Sequence, residues 1–121
     1  MTAERRRAYR FGLRAETAAS LRLLLKGYRI LARRYRTPAG EIDLIVKRGK
    51  LIAFVEVKAR RSVAEAIEAL TPRAEQRIAT AADLWLARHP AANGLMMRFD
   101  LVLVVPWRPP VHMPDAFRPP R

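Results

Sequence analysis

Residues 40–60 read GEIDLIVKRGKLIAFVEVKAR, and the way they pair decides the fold. Two runs rich in Ile, Leu, Val and Phe, 41–47 and 50–59, flank Arg48-Gly49. Such residues suit strands, and a short glycine-containing pair between them suits a tight hairpin. With Arg48-Gly49 as a two-residue loop, Lys47 pairs with Lys50, Asp43 with Phe54 and Glu41 with Glu56. Side chains alternate between faces along a strand, so Glu41, Asp43, Glu56 and Lys58 share one face. Ile42, Leu44, Val46, Leu51, Ala53, Val55 and Val57 share the other, which belongs in a core. A one-residue slip would split this apolar set between the faces.

The charged face needs a compensating partner. Like charges opposite one another destabilise a hairpin, and Asp and Glu are poor strand residues. Yet three of only 11 acidic residues fall on one face of one hairpin, in a chain of net charge +13. In this register Asp43 and Glu56 are diagonal neighbours, roughly 7–8 Å apart at the backbone. A hard divalent cation, Mg²⁺ or Mn²⁺, takes carboxylate oxygens and keeps positions open for water and a phosphate oxygen. It would lower the pKa of bound water and offset charge developing on a phosphate. Lys58, two residues after Glu56, would orient the attacking water or neutralise the scissile phosphate. A solvated charge ladder of Glu41, Glu56, Lys58 and Arg60 is the competing reading, and the pattern alone leaves both open.

Outward from the hairpin, helical composition runs from about residue 3 to 26, with Ala15, Ala18, Leu21 and Leu25 as its apolar positions and Gly27 as its stop. Residues 28–35 read as a strand and Pro38-Ala39-Gly40 as a turn. Thr71 and Pro72 open a second helix as N-cap and first residue, reaching about His89, with Ile78, Ala81, Ala82, Trp85 and Leu86 at helical spacing. Residues 98–105 are apolar enough for a central strand. The expected order is α-β-β-β-α-β, an α/β domain over residues 1–105. A tail follows over 106–121, whose prolines, Pro106 to Pro120, are expected to prevent regular structure.

Composition narrows the partners. The 24 basic residues, 20 of them Arg, point to a polyanion, with nucleic acid ahead of anionic lipid, because Arg contacts phosphate in bidentate fashion. A GC-rich genome would also enrich Arg. The absence of cysteine excludes disulfides, thiolate metal sites and cysteine nucleophiles, and is compatible with the cytoplasm. The longest apolar run, residues 101–105, is too short for a membrane span. The basic N-terminus, with Arg5, Arg6, Arg7 and Arg10, precedes no secretory apolar segment.

Residues 40–45 and 54–60, followed by Arg98-Phe99-Asp100, resemble the signature of the YraN-like family of bacterial proteins. That family in turn resembles the PD-(D/E)xK nuclease superfamily, which includes archaeal Holliday-junction resolvases. The resemblance spans residue 12 to about 105. It implies a restriction-endonuclease-like three-layer fold, a mixed β-sheet flanked by helices. It also implies that Asp43, Glu56 and Lys58 are the catalytic residues of a Mg²⁺- or Mn²⁺-dependent endonuclease, and that Glu16 of the first helix joins Asp43 and Glu56 at the metal. The hydrolysed bond would be a DNA phosphodiester, with branched structures among the substrates, and a homodimer would suit cleavage of both strands of a duplex. Two features depart from the family. Ala74 stands where a Lys usually lies early in the second helix, leaving Arg73 and Arg77, with Arg60, as candidate nucleic-acid contacts. The segment 62–70 is short and lacks the usual Gly.

The rival to catalysis is a non-catalytic nucleic-acid-binding module on the same fold; a protein-interaction domain is a third reading. Asp100 reads as a buried partner of Arg98 or of a backbone donor, with a site role as the alternative. His89 reads as a helix terminator, His112 as ordinary, Trp85 as core, and Trp107 as packing the tail, with base stacking as the alternative.

Overall fold

β2 (Gly40–Arg48) and β3 (Leu51–Ala59) form the expected antiparallel hairpin, but its loop is Gly49-Lys50. Arg48 therefore pairs with Leu51 and Leu44 with Val55, a register two residues from the expected one. Gly49 takes φ +60° at the first loop position. An Arg48-Gly49 loop of the doubly left-handed kind would have demanded positive φ from an arginine, whereas a loop beginning on glycine does not. Because the shift is even, Leu44, Val46, Ala53 and Val55 still share a face, buried together in one core cluster.

The computed structural model describes residues 2–119, the side chains of residues 7–11 and 13 apart. α1 (Ala3–Leu25) precedes β1 (Arg29–Thr37), which pairs with β2. After β3 come α2 (Val63–Glu68), α3 (Pro72–Arg88), β4 (Met96–Val104) and β5 (Val111–Met113). The sheet order is β1-β2-β3-β4-β5, with β3 and β4 parallel and every other neighbour antiparallel. The parallel pair requires a crossover, which α2 and α3 supply. Ala19 and Leu23 of α1 bury against one face of the sheet. Ile78, Ala81, Ala82 and Trp85 of α3 bury against Ile42, Ile45, Ile52 and Phe54 on the other. The chain is thus an α/β protein with a mixed five-stranded sheet between helical layers. Among the described residues no helix is long and apolar enough to cross a membrane.

Both helix ends follow from side-chain chemistry. Thr2 accepts the Arg5 N–H at the start of α1, and Thr71 accepts the Ala74 N–H at the start of α3. α1 closes with Gly27 at φ +89°, the Tyr28 N–H donating to Leu23 O and the Gly27 N–H to Leu24 O. Its buried stripe is Ala15, Ala19 and Leu23; Leu21 and Leu25, expected inside, are 56% and 84% exposed. Positions 15-18-21-25 and 15-19-23 are neighbouring stripes of similar apolarity, and contact with the sheet chooses between them.

The C-terminal segment also corrects expectation. Residues 111–113 pair with β4 as β5, and Phe117 is buried beside Phe99, 5.4 Å between ring centroids. The prolines lie outside the three paired residues, so no ladder donor is lost. Pro120 and the residue after it lie outside the described residues.

Candidate active site

The regular β2–β3 ladder ends at Leu44–Val55, one step short of Asp43 and Glu56, whose side chains meet beyond it. There Asp43 replaces a ladder partner, its Oδ2 accepting the Val57 N–H at 2.8 Å. Alternation breaks at this point: Ile42 packs with Ile45 on the α3 side, not with Leu44 and Val46. On the opposite strand, Arg33 pairs with Leu44 and Tyr35 with Ile42, which leaves Arg34 facing Asp43 with φ +49°. A left-handed arginine within a strand is strained backbone, and it coincides with the kink that turns Asp43 out of the ladder.

Asp43 and Glu56 share a hydrogen bond. Burial of the Glu56 carboxyl, then the bond to Asp43 and its charge, push Glu56 up to about 9, against the opposing pull of Lys58. Lys58 Nζ stands 4.0 Å from Glu56 Oε1. At neutral pH Glu56 therefore keeps its proton, because burial and the neighbouring Asp43 both disfavour its charged form.

Two clefts meet at Asp43. On the α1 side a cavity of about 410 Å³ is lined by Glu16, Arg34, Glu41, Asp43, Lys58 and Arg60, among others. On the α3 side a second, about 270 Å³, is lined by Glu41, Asp43, Glu56, Ala74, Arg77 and Ile78. Glu41 and Asp43 border both. The position expected to carry a family lysine thus does face the carboxylates, and as Ala74 it brings no charge. Arg77 lies in this cleft, where its Nε donates to Ala39 O at 3.1 Å. Arg73 is exposed and lines neither cleft, whereas Arg60 lines the larger.

Glu16 reaches the larger cleft, but Arg34 holds it: Nε donates to Glu16 Oε2 at 2.6 Å and Nη2 lies 2.5 Å from the same oxygen. Sequence reasoning assigned Arg34 no part. Nothing in the local residues signals its positive φ, and its meeting with Glu16 depends on how α1 lies across β1. Among the described residues no three ligating side chains converge. The donor set fits a hard divalent cation all the same, because Asp43 and Glu56 bring two carboxyl groups together and a cation can take the place of the Glu56 proton. Mg²⁺ is commonly held by one or two carboxylates, with water and substrate phosphate completing its shell.

The mixed sheet and its flanking helices define an α/β protein. The uncharacterised protein family UPF0102 matches over residues 15–104, and the chain belongs to that family. A UPF0102 protein of Mesorhizobium japonicum is 59% identical over 116 residues, covering 96% of this chain and 93% of its own length. UPF0102 proteins of Parvibaculum lavamentivorans and Rhizobium meliloti are 58% and 54% identical, covering 93% and 92% of this chain and 84% and 91% of their own.

Proposed function

We propose that the chain is a divalent-metal-dependent nuclease of the restriction-endonuclease-like class, cutting DNA phosphodiesters in the cytoplasm. The observation that carries this reading is the Asp43–Glu56 pair, buried enough to hold Glu56 up to about 9, with Lys58 beside it in a cleft bordered by Arg60. The helix-flanked mixed sheet supports the fold assignment.

Asp43 and Glu56 would hold Mg²⁺ or Mn²⁺, which when bound supplies an acidified water and charge to offset the phosphate oxygens. Asp43 is aimed by the Val57 N–H, so its position is set by backbone and does not depend on metal. Lys58, at the mouth of the larger cleft, is placed to hold a phosphate oxygen and to donate toward the reacting water. Arg60 and Arg77 border the two clefts and would contact flanking phosphates. Glu16 joins the metal only by releasing Arg34. Leu21, Leu24 and Leu25 form an exposed stripe on α1 that would suit pairing of two chains.

The test is cleavage of labelled linear, flapped and four-way-junction DNA with Mg²⁺ or Mn²⁺, beside Asp43→Asn and Lys58→Ala proteins. Products from the parent alone are expected, with binding by both variants close to parental. Cleavage by either variant at the parental rate removes that residue from the mechanism. A non-catalytic binding module is the second reading, favoured by Ala74 in the smaller cleft and by the Arg34 grip on Glu16. It requires salt-sensitive binding without turnover on any substrate.

A further inference from the structure

Trp107 is fully exposed, at 102% of its reference area, in the turn between β4 and β5. Its backbone sits at φ +67°, where a bulky side chain is disfavoured and glycine is the usual occupant after a proline such as Pro106. The sequence suggested that Trp107 packs the tail onto the domain; instead Phe117 does so, and the indole stands in water. An apolar ring is thus held in a strained turn without any core contact to stabilise it. Outliers of this kind concentrate where a ligand is met.

The turn lies at the same end of the sheet as the carboxylate pair. Lys58 is in register with Leu103 and Ala59 with Val104, and the Arg60 N–H donates to Val104 O at 3.1 Å. Trp107 follows three residues later, so its Cα is within about 11 Å of that of Val104. Arg60, Arg61 and Arg108 are exposed around this end. An aromatic platform among arginines is the arrangement that binds single-stranded nucleic acid, rings stacking on bases while cations follow the phosphates.

We infer that Trp107 is a stacking platform for an unpaired nucleobase, so that the chain takes nucleic acid carrying single-stranded nucleotides within a few positions of the Asp43–Glu56 site. The inference rests on the nuclease reading for its substrate class and adds the structural requirement. Within a duplex both faces of each base are occupied by neighbours, and only a frayed, flapped or branched strand offers one to an indole.

The chain contains two tryptophans, and Trp85 is buried against Phe54 and His89, so long-wavelength emission isolates Trp107. The full chain is titrated in EDTA, at fixed low salt, with a 20-nucleotide oligothymidylate, with a blunt duplex of equal length, and with phosphatidylglycerol vesicles. Expected are saturable quenching of the exposed emission by the single strand and at least about fivefold weaker single-strand binding by Trp107→Ala, the factor for the low end of stacking energies. Duplex affinity should change less than twofold, and Trp107→Phe should bind the single strand within about threefold of the parent. Parental single-strand affinity in Trp107→Ala overturns the inference, as does a blue shift on vesicles without a response to the oligonucleotide, which makes Trp107 a membrane contact. Metal-dependent cleavage that is indifferent to Trp107 removes this inference and leaves the nuclease; Trp107-dependent binding with no cleavage does the reverse.

Discussion

Two acidic centres, one buried and one partly buried, lie on neighbouring strands and behave in opposite ways. Asp100 of β4 is wholly buried, yet its carboxylate is saturated with donors: Arg98 Nε and Nη2 at 2.7 and 2.8 Å, the Asp115 N–H at 2.9 Å, and His112 Nε2 at 2.8 Å. Tyr28 supports Arg98 from behind, and Lys26 Nζ meets the other ring nitrogen of His112. Burial alone would raise Asp100, but the bonds from His112, Arg98 and Asp115 outweigh it and bring the carboxyl to about 2. At Asp43 and Glu56 one carboxyl faces another, with a single backbone donor at Asp43 and Lys58 4.0 Å from Glu56, and Glu56 rises to about 9. A buried carboxylate surrounded by donors holds a fold together. A buried carboxylate facing another is incomplete until a cation arrives, which is why the second centre, and not the more deeply buried first, is the candidate for chemistry.

The largest expected effect on stability comes from breaking the first centre. Asp100→Asn leaves Arg98 without its counter-charge inside the protein and should cost about 3–5 kcal/mol in urea unfolding at pH 7. The cost has a pH signature. A depressed carboxyl stabilises the fold above its unfolded value near 4 and ceases to do so as the pH falls through about 2, so parent and variant should converge over that window. Equal stability of the two proteins at pH 7 would make Asp100 a passenger.

Glu56→Gln should act in the opposite direction. A raised carboxyl is retained as the acid in the folded state while the unfolded chain ionises near 4.5, so the parent loses stability as the pH climbs from about 4.5 toward about 9. Glutamine removes that loss, and about 3–5 kcal/mol should be gained at pH 8, fading to nothing by pH 4. A destabilised variant at pH 8 would mean that the pair is already compensated. The smallest effect is steric and local: a Cβ on Gly40 would lie 2.9 Å from Arg77 O and 3.0 Å from Arg77 Cβ. Gly40→Ala should cost roughly 1–3 kcal/mol and disturb α3 over Ala74 and Arg77, leaving the Asp100 centre unchanged by hydrogen exchange.

Much of the architecture was legible because it is written in local chemistry. The Thr71-Pro72 start of α3, the Gly27 stop of α1 and the apolar runs of β2 and β3 each state their conformation within a few residues. α2, six residues with one buried side chain, has too little periodicity to be seen, and β5 is three residues among prolines. At the site, Asp43, Glu56 and Lys58 were placed near one another by their spacing about the loop, and they meet there even though the loop shifted by a residue and alternation breaks at Asp43. Arg34 and the network of His112 were invisible, because their partners lie 18 and 12 residues away or more.

By itself, then, the sequence determined the elements and the spacing of their charged residues, since strand parity, caps and turn glycines act over a few bonds. Only the tertiary structure decided which of two apolar stripes on α1 enters the core, that Asp100 is surrounded by donors while Glu56 faces another carboxyl, and that Trp107 remains in water. Those outcomes depend on which groups from distant segments arrive within hydrogen-bonding distance, and burial or solvation follows from that arrival rather than from any residue's own preference.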